Sequence, residues 1–180
     1  MLRGINVTGH NTIKMQDLRT LCNKLGYRNV QTYVQSGNIV FEATKGIPAT
    51  LSNQISKGIH DAYGFDVPVF IRTSEEMQRI ISANPFLKEK DIDPSKLHVT
   101  FLSETPQTDS LRNLGKVSAG PDRFHAVRNE IYLYCPDGYG RTKLSNTMIE
   151  KTLSVGATTR NWRTSNTLLE MAWKLGTEEN

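Results

Sequence analysis

The sequence lacks any long hydrophobic run. Its longest uninterrupted apolar stretch, around Val67–Ile71, contains Pro68 and is far shorter than the roughly 20 residues that a membrane-spanning helix needs. Charged residues make up only 22% of the 180 residues and hydrophobic residues 37%, which is typical of a folded chain rather than a disordered one. We therefore expect a compact protein that does not enter a membrane.

Cysteine is also scarce. Cys22 and Cys135 lie far apart in the sequence and indicate no disulfide framework. The first residues, Met1–Val7, lack the basic, apolar and small-residue sections of a signal peptide. Together these features predict a cytoplasmic location.

Patterns that bind metals or cofactors are missing as well. The histidines and cysteines show no spacing typical of metal ligands. No Gly-x-Gly-x-x-Gly or Gly-x-Ser-x-Gly element occurs. The sequence therefore predicts neither a metal site nor a cofactor. His98 alternates with Val99 in a predicted strand, and we interpret it as structural.

The periodicity of the first half predicts the order β-α-β-β-α-β. Its expected elements are a strand at Leu2–Val7, a helix over about residues 15–25, a hairpin of Val30–Gln35 and Ile39–Ala43, a second helix ending near Gly64, and a strand at Val67–Arg72. Thr73 and Glu76 fit a capping box that opens a further helix through about Ala83.

The second half repeats this theme. Its expected elements are a strand at Leu97–Leu102, a short helix at Asp109–Leu114, a hairpin of Phe124–Val127 and Glu130–Tyr134, a helix over about Lys143–Leu153, and a last helix near Asn161–Leu175 in place of an obvious closing strand. The fold class is therefore predicted as α+β, with duplicated ferredoxin-like (βαββαβ-type) halves, antiparallel sheets and an extra C-terminal helix. We expect the halves to be residues 1–73 and 74–180.

A Gly-x4-Gly pattern near the start, from Gly4 to Gly9, resembles a phosphate-binding loop. Such loops direct backbone N–H groups and a lysine at phosphate oxygens. Here the lysine position holds His10, and the hydroxyl position that binds magnesium holds Asn11. The pattern therefore indicates either a polar turn or a looser anion-binding loop, to which Arg3, Asn6 and Lys14 would contribute.

Three further stretches are rich in polar and cationic side chains. Gln35, Ser36 and Asn38 stand at the tip of the first hairpin, where turn chemistry alone would also explain them. Arg141-Thr142-Lys143 precedes or begins a helix, and helix N-termini favour anions. Thr158–Arg163 resembles a second helix start, in which Arg160 and Arg163 would lie three apart on one face, next to Asn161.

Several motifs in order resemble the bacterial domain-of-unknown-function family numbered 1697. They are Leu2–Val7, Ile13–Met15, Thr32–Asn38, Asn84–Phe86, His98–Leu102, Gly140–Leu144 and Thr158–Trp162. The resemblance implies a cytoplasmic bacterial protein with a duplicated ferredoxin-like α+β architecture and no assigned activity. It also implies a longer first strand, of which Met1 would be near the end, and a lysine in many relatives where this chain has His10.

We expect these polar stretches to form a binding or catalytic site from loops between the two halves, because they are too rich in Arg, Asn, Gln and Gly to be core. The ligand would be a small molecule bearing phosphate or carboxylate. The candidate residues are Arg3, Asn6, His10, Asn11, Lys14, Gln35, Ser36, Asn38, Arg141, Lys143, Arg160, Asn161 and Arg163.

Two alternatives stay open. The net charge of +4 is concentrated late in the chain, where residues 141–174 hold six Lys and Arg against two Glu. That segment would suit a nucleic-acid-binding protein that contacts the phosphate backbone. The other alternative is an interaction or structural protein without a small ligand, which an apolar patch without a polar pocket would favour.

Overall fold

The computed structural model describes residues 1–7, 9–44, 46–117 and 120–177. These residues form six α-helices and two antiparallel β-sheets, which is a mixed α+β architecture. The chain divides into two compact units. We call them the first unit (Met1–Met77 with Thr167–Asn180) and the second unit (Gln78–Asn166). The domain boundary that the sequence predicted, between residues 1–73 and 74–180, remains a prediction.

The first unit is built around one hairpin and two helices. Its elements are α1 (Met15–Lys24), β1 (Arg28–Tyr33), β2 (Asn38–Glu42), α2 (Pro48–Tyr63) and the first part of α3 (Ser74–Ser82). The antiparallel β1 and β2 place Tyr33 opposite Asn38. Gly64 ends α2 in the left-handed conformation, with φ of 77°, as its sequence position predicted.

Apolar side chains from α1, from α2 and from the segments that flank them form the core of the first unit. Its buried members are Leu2, Ile5, Ile13, Leu18, Cys22, Tyr27, Leu51, Ile55, Ile59 and Val67. Phe41 of β2 stacks on Tyr27, with ring centroids 4.4 Å apart. The core therefore lies between the two helices and one face of the hairpin.

The predictions of a first strand at Leu2–Val7 and of a last strand at Val67–Arg72 are wrong. Among the described residues, Leu2–Val7 and Val67–Arg72 are joined only by one antiparallel bridge, between Leu2 and Val69. The backbone of Asn6 is left-handed, with φ of 55°, which ends any extended conformation early.

The second unit contains β3 (Leu97–Leu102), α4 (Thr108–Gly115), β4 (Arg123–Val127), β5 (Glu130–Tyr134), α5 (Asn146–Leu153) and β6 (Ala157–Asn161). The four strands form one antiparallel sheet in the order β4-β5-β3-β6. The prediction of β3 and of the β4–β5 hairpin is confirmed. Helices α4 and α5 cover one face of the sheet over a core that includes Leu102, Leu114, Ile131, Leu133, Ile149 and Leu153.

The last helix is confirmed, because α6 (Trp162–Thr177) begins within the predicted start at Thr158–Arg163. The expectation that this helix takes the place of a closing strand is wrong, because Ala157–Asn161 forms β6 directly before it. Because Arg160 is in a strand, it does not share a helical face with Arg163. Helix α5 begins at Asn146 instead of about Lys143, because the Ser145 hydroxyl caps it by accepting from the Met148 N–H at 3.3 Å.

The capping box at the start of α3 is confirmed. The Thr73 N–H donates to Glu76 Oε2 at 2.9 Å, and the Glu76 N–H donates to Thr73 Oγ1 at 3.2 Å. In the described part of the chain, no helix is both long enough and apolar enough to cross a membrane.

Candidate functional site

The loop that follows Met1 closes on itself. The Asn6 N–H donates to the carbonyl of Asn11 at 3.2 Å, and the His10 N–H donates to the carbonyl of Val7 at 3.0 Å. Thr8 lies outside the described residues. Two of the backbone N–H groups that a phosphate loop would present are thus committed to the turn, so the structure favours the polar-turn interpretation of Gly4–Asn11.

The Asn6 side chain holds this loop against the first hairpin. Its Nδ2 donates to the carbonyls of Ile13 at 2.9 Å and Gln35 at 2.8 Å, while its Oδ1 accepts from the Ile13 N–H at 2.9 Å. Both amide hydrogens and one oxygen lone pair are therefore used. The Asn6 side chain therefore links the two loops by hydrogen bonds.

Asn38 has a similar structural part in the hairpin turn. It is fully buried, and its Nδ2 donates to the Tyr33 carbonyl at 3.0 Å and to Ser36 Oγ at 3.1 Å. Of the candidate site residues in the first unit, His10, Lys14, Gln35 and Ser36 are exposed, whereas Arg3 and Asn11 are half-buried. The structure brings the backbones of these two loops together through the Asn6 side chain.

The second unit brings its candidate residues closer together. His98 of β3 lies opposite Asn161 of β6, so both side chains are on the sheet face that α5 covers. The His98 ring stacks on Tyr139, with centroids 4.9 Å apart. One rung further along, Thr159 Oγ1 donates to Asn146 Oδ1 at 2.7 Å and lies 2.7 Å from Thr100 Oγ1.

These contacts join the loop before α5 to the end of β6. We call the group the polar sheet end: His98, Thr100, Tyr139, Asn146, Thr159 and Asn161. Arg141 and Lys143 lie in the joined loop and Arg163 follows β6; all three side chains are exposed. Segments 139–146 and 157–163 contain four Arg and Lys and no Asp or Glu, so their charge has one sign.

Arg160 does not belong to this group. Side chains alternate along β6, so Thr158 and Arg160 face away from Thr159 and Asn161. Arg160 is only 8% exposed, and its guanidinium donates to Thr158 Oγ1 and to the Thr159 carbonyl, both at 2.9 Å. The guanidinium of Arg160 therefore lies on the opposite face of the sheet.

The orientation of the polar groups follows from their bonds. Asn161 Oδ1 accepts from the Thr164 N–H at 2.7 Å and so caps α6, which directs its amide nitrogen elsewhere. Asn146 likewise uses its oxygen to accept from Thr159. Both amides thus keep N–H donors beyond these bonds.

His98 is held as a neutral imidazole. Burial lowers the pKa of His98 below its ordinary value, against a smaller opposing effect of its bond to Lys96. Its Nδ1 lies 3.2 Å from the Lys96 carbonyl, which can only accept, so Nδ1 carries the proton. Nε2 then holds a lone pair.

The sequence interpretation of His98 as purely structural missed its position among these groups. The same holds for Asn146, Thr159 and Tyr139. Their signal is not local, because it depends on which strands pair. Among the described residues, no group of three or more His, Cys, Asp or Glu side chains could hold a metal ion.

The comparisons with known proteins agree with this architecture. A family model described as "Protein of unknown function (DUF1697)" matches residues 1–132. The structure of conserved bacterial protein SP0830 from Streptococcus pneumoniae superimposes with a TM-score of 0.71 at 20% identity and covers 96% of each chain. At that identity the likeness shows a shared fold. No curated protein matches the sequence. Because the family model covers well over half of the chain, the protein belongs to this family of unknown function, DUF1697.

Proposed function

We propose that the protein binds a small ligand bearing a phosphate or a carboxylate at the polar sheet end of the second unit. The observation that supports this proposal is the arrangement of Asn146 and Asn161. Their oxygens are fixed by Thr159 and by the start of α6, and their amide donors stand beside the acid-free segments that carry Arg141, Lys143 and Arg163. Fixed neutral donors orient an anion, and exposed cations attract it.

The neutral state of His98 suits such a site. An imidazole with Nδ1–H held by a backbone carbonyl offers Nε2 as an acceptor to a ligand hydroxyl or to a protonated phosphate. Tyr139 stacks on the ring and fixes its plane. If the ligand is a substrate, Nε2 is the atom of this group that can take up a proton.

A titration with inorganic phosphate tests the proposal. Side-chain amide resonances of Asn146 and Asn161 should shift saturably, and thermal stability should rise. The double variant Arg141→Ala/Lys143→Ala should weaken binding about tenfold or more, since each charged hydrogen bond contributes roughly 1.5–3 kcal/mol when well formed and less when exposed.

Lys151→Ala is the matched control, because Lys151 is an exposed cation of the same unit that lies in α5 outside both segments. If Lys151→Ala weakens phosphate binding as much as the double variant does, the effect comes from the net charge of the protein and not from a specific site. No saturable shift at the two asparagines would contradict the site.

Nucleic-acid binding is the second candidate. The observation in its favour is that Arg141, Lys143, Lys151 and Arg163 of the second unit are all exposed. With four backbone contacts, log affinity should fall against log salt with a slope of about −0.9 per contact. Binding to a duplex that does not depend on salt would contradict it.

We also propose the finer form of the fold and location. The order β3-α4-β4-β5-α5-β6 supports a ferredoxin-like arrangement in the second unit, and the first unit has a hairpin and two helices in the same order. The first unit would therefore be a duplicate of it. Two buried free cysteines support a cytoplasmic location, where thiols stay reduced.

A further inference from the structure

The polar sheet end uses its oxygen acceptors internally. Asn146 Oδ1 accepts from the Thr159 hydroxyl, and Asn161 Oδ1 accepts from the Thr164 N–H, both at 2.7 Å. Because the Thr159 hydrogen is used for Asn146, the 2.7 Å contact between the hydroxyls of Thr100 and Thr159 is donated by Thr100. The two amide oxygens and Thr159 Oγ1 therefore each accept a hydrogen bond already, whereas the amide nitrogens keep donors for a ligand.

Carboxylates are scarce around this group. The two segments that carry its cations contain no Asp or Glu. Glu150 of α5 accepts from the Ala157 N–H at 3.1 Å, at the end of β6 opposite to Asn161. The acid nearest to the group in the sequence is Asp137, which is exposed in the turn before Tyr139. The groups identified at this site are therefore donors and cations, with one exception.

The exception is His98. Its Nδ1 donates to the Lys96 carbonyl at 3.2 Å, so Nε2 of the neutral ring has a lone pair. Among the described residues, no donor is bonded to Nε2. His98 is only 9% exposed, and Tyr139 stacks on its ring with centroids 4.9 Å apart. His98 is thus a fixed, neutral acceptor among donors.

The sheet register places this acceptor beside one of the amide donors. His98 and Asn161 are directly opposite each other in the antiparallel pair of β3 and β6. Opposite residues on one face of such a pair have Cβ atoms about 4.5–5.5 Å apart, so both side chains can contact one small ligand. There, a ligand oxygen without hydrogen would set a lone pair against the lone pair of Nε2, whereas an O–H group would donate to it.

We propose that the polar sheet end selects anions that carry an O–H donor beside their charged oxygens, and that His98 Nε2 is the acceptor that makes this selection. The selection rests on the proposed function, whose ligand class it narrows. A site that hydrogen-bonds a ligand hydroxyl rejects the analogue that lacks it, because the acceptor of the site is then left unpaired.

Two kinds of anion have this chemistry. Hydrogenphosphate keeps one P–O–H group at mildly alkaline pH, so inorganic phosphate has a donor of its own. A phosphate ester is fully ionised under the same conditions, and so is a carboxylate. These two need a hydroxyl on a neighbouring carbon, as in a hydroxyalkyl phosphate or a hydroxy acid.

Three matched ligand pairs test the selection in calorimetric titrations of the full chain at mildly alkaline pH. Hydrogenphosphate and sulfate have the same shape and charge, but only hydrogenphosphate has a donor. Glycerol 3-phosphate is compared with n-propyl phosphate, and lactate with propanoate. In at least one pair, we expect the member that bears the hydroxyl to bind at least roughly tenfold more tightly. A preference in the first pair identifies a protonated phosphate, and a preference in the other pairs alone identifies a hydroxyl on a neighbouring carbon.

The Nε2 resonance of isotope-labelled His98 reports on the contact directly. It should shift as Nε2 accepts a hydrogen bond from the preferred ligand, while the nitrogen stays unprotonated. His98→Phe keeps a flat ring against Tyr139 but has no acceptor, so it should bind both members of each pair with equal affinity. Asp137→Asn is the matched control for the nearest acid, and it should keep the preference of the wild type.

The proposal is overturned if the wild type binds both members of every pair with equal affinity. It is also overturned if Nε2 gains a proton when sulfate binds, because His98 would then act as a cation. Loss of the preference in Asp137→Asn would overturn it as well, since the acceptor would be that carboxylate. Failure of the proposed function looks different, because then none of the six anions binds and the side-chain amide resonances of Asn146 and Asn161 do not shift.

Discussion

Both units contain an equivalent backbone hydrogen bond, which we call the rung, beside sheets of different size. In the second unit the Leu102 N–H donates to the carbonyl of Asn129, just before β5, at 2.9 Å. In the first unit the Leu2 N–H donates to the carbonyl of Gly37, just before β2, at 2.8 Å. The described sheet has four strands in the second unit and two in the first.

The difference shows why Val67–Arg72 is not a strand although its residues favour one. A strand needs a partner along its length, and among the described residues this segment forms a single bridge, between Val69 and Leu2. β6 is the opposite case: Ala157–Asn161 is a poorer strand sequence, yet it pairs with β3 over five residues. Pairing outweighs propensity at both places.

The largest effect that would sharpen this comparison is expected at Gly37. A Cβ there would come within 2.7 Å of Ile5 Cδ1 and 2.9 Å of Leu2 Cβ, and φ is +75°. Gly37→Asn, which copies the equivalent Asn129, should lower the free energy of unfolding by about 2–3 kcal/mol through overpacking. Urea denaturation measures this change.

Gly64→Asn is the matched control for the backbone conformation. Its φ is +77°, but no atom lies within 4 Å of its Cβ position. Because Asn tolerates the left-handed region, we expect a loss below about 1 kcal/mol. A loss at Gly64 equal to that at Gly37 would show that close packing at the rung does not matter.

In both units, the second strand of the hairpin begins with a buried polar residue. Asn38 is neutral, whereas the fully buried Glu130 has its Oε2 3.5 Å from Arg79 Nη1. Arg79→Met should destabilise the protein by about 2 kcal/mol. That is less than for a fully buried pair, because Arg79 is 32% exposed.

A double-mutant cycle checks this interpretation. Glu130→Gln in the Arg79→Met background should recover part of the loss, since the uncompensated charge is then gone. Strict additivity of the two changes would mean that the ion pair contributes nothing measurable.

Hydrogen exchange compares the hairpins directly. β5 lies between β3 and β4, whereas β2 pairs with β1 alone among the described strands. We expect amides of β2 that point away from β1 to exchange at least tenfold faster than the inner amides of β5, because local opening of an edge breaks fewer contacts. Equal protection would contradict the position of β2 at an edge of the described two-stranded sheet.

Much of the local structure was predictable because its causes are local. The capping box depends on four consecutive residues that begin at Thr73, so the sequence alone predicts it. The strand-forming residues of Leu97–Leu102 likewise predict β3. β6 was missed because the Thr159 and Asn161 side chains gain their partners from α5, β3 and α6, far away in the sequence.

The candidate site was predictable only in part for the same reason. Arg141, Lys143 and Asn161 could be selected by residue type, and their grouping follows from the sheet register. His98 enters the group only because β3 lies against β6. Whether Asn6 orients a ligand or holds a loop depends on three hydrogen bonds to the backbones of Ile13 and Gln35, which residue type does not reveal.

The smallest expected effect concerns the pH dependence that His98 gives to the second unit. Burial lowers the pKa of His98 in the folded protein below the unfolded value of about 6.5, so the unfolded chain binds more protons as the solution becomes acidic. The stabilisation from the neutral ring is therefore complete above about pH 6.5 and is lost as pH falls below it. His98→Phe keeps a flat ring to stack on Tyr139 but cannot titrate. Its unfolding free energy should decline less between pH 7.5 and 5.5 than that of the wild type in urea titrations.

His10→Phe, at an exposed position of the first unit, is the control for replacing a histidine by phenylalanine. If the wild type and His98→Phe lose stability in parallel, the imidazole is not held neutral by burial, and the acceptor that we assign to Nε2 in the proposed site loses its support.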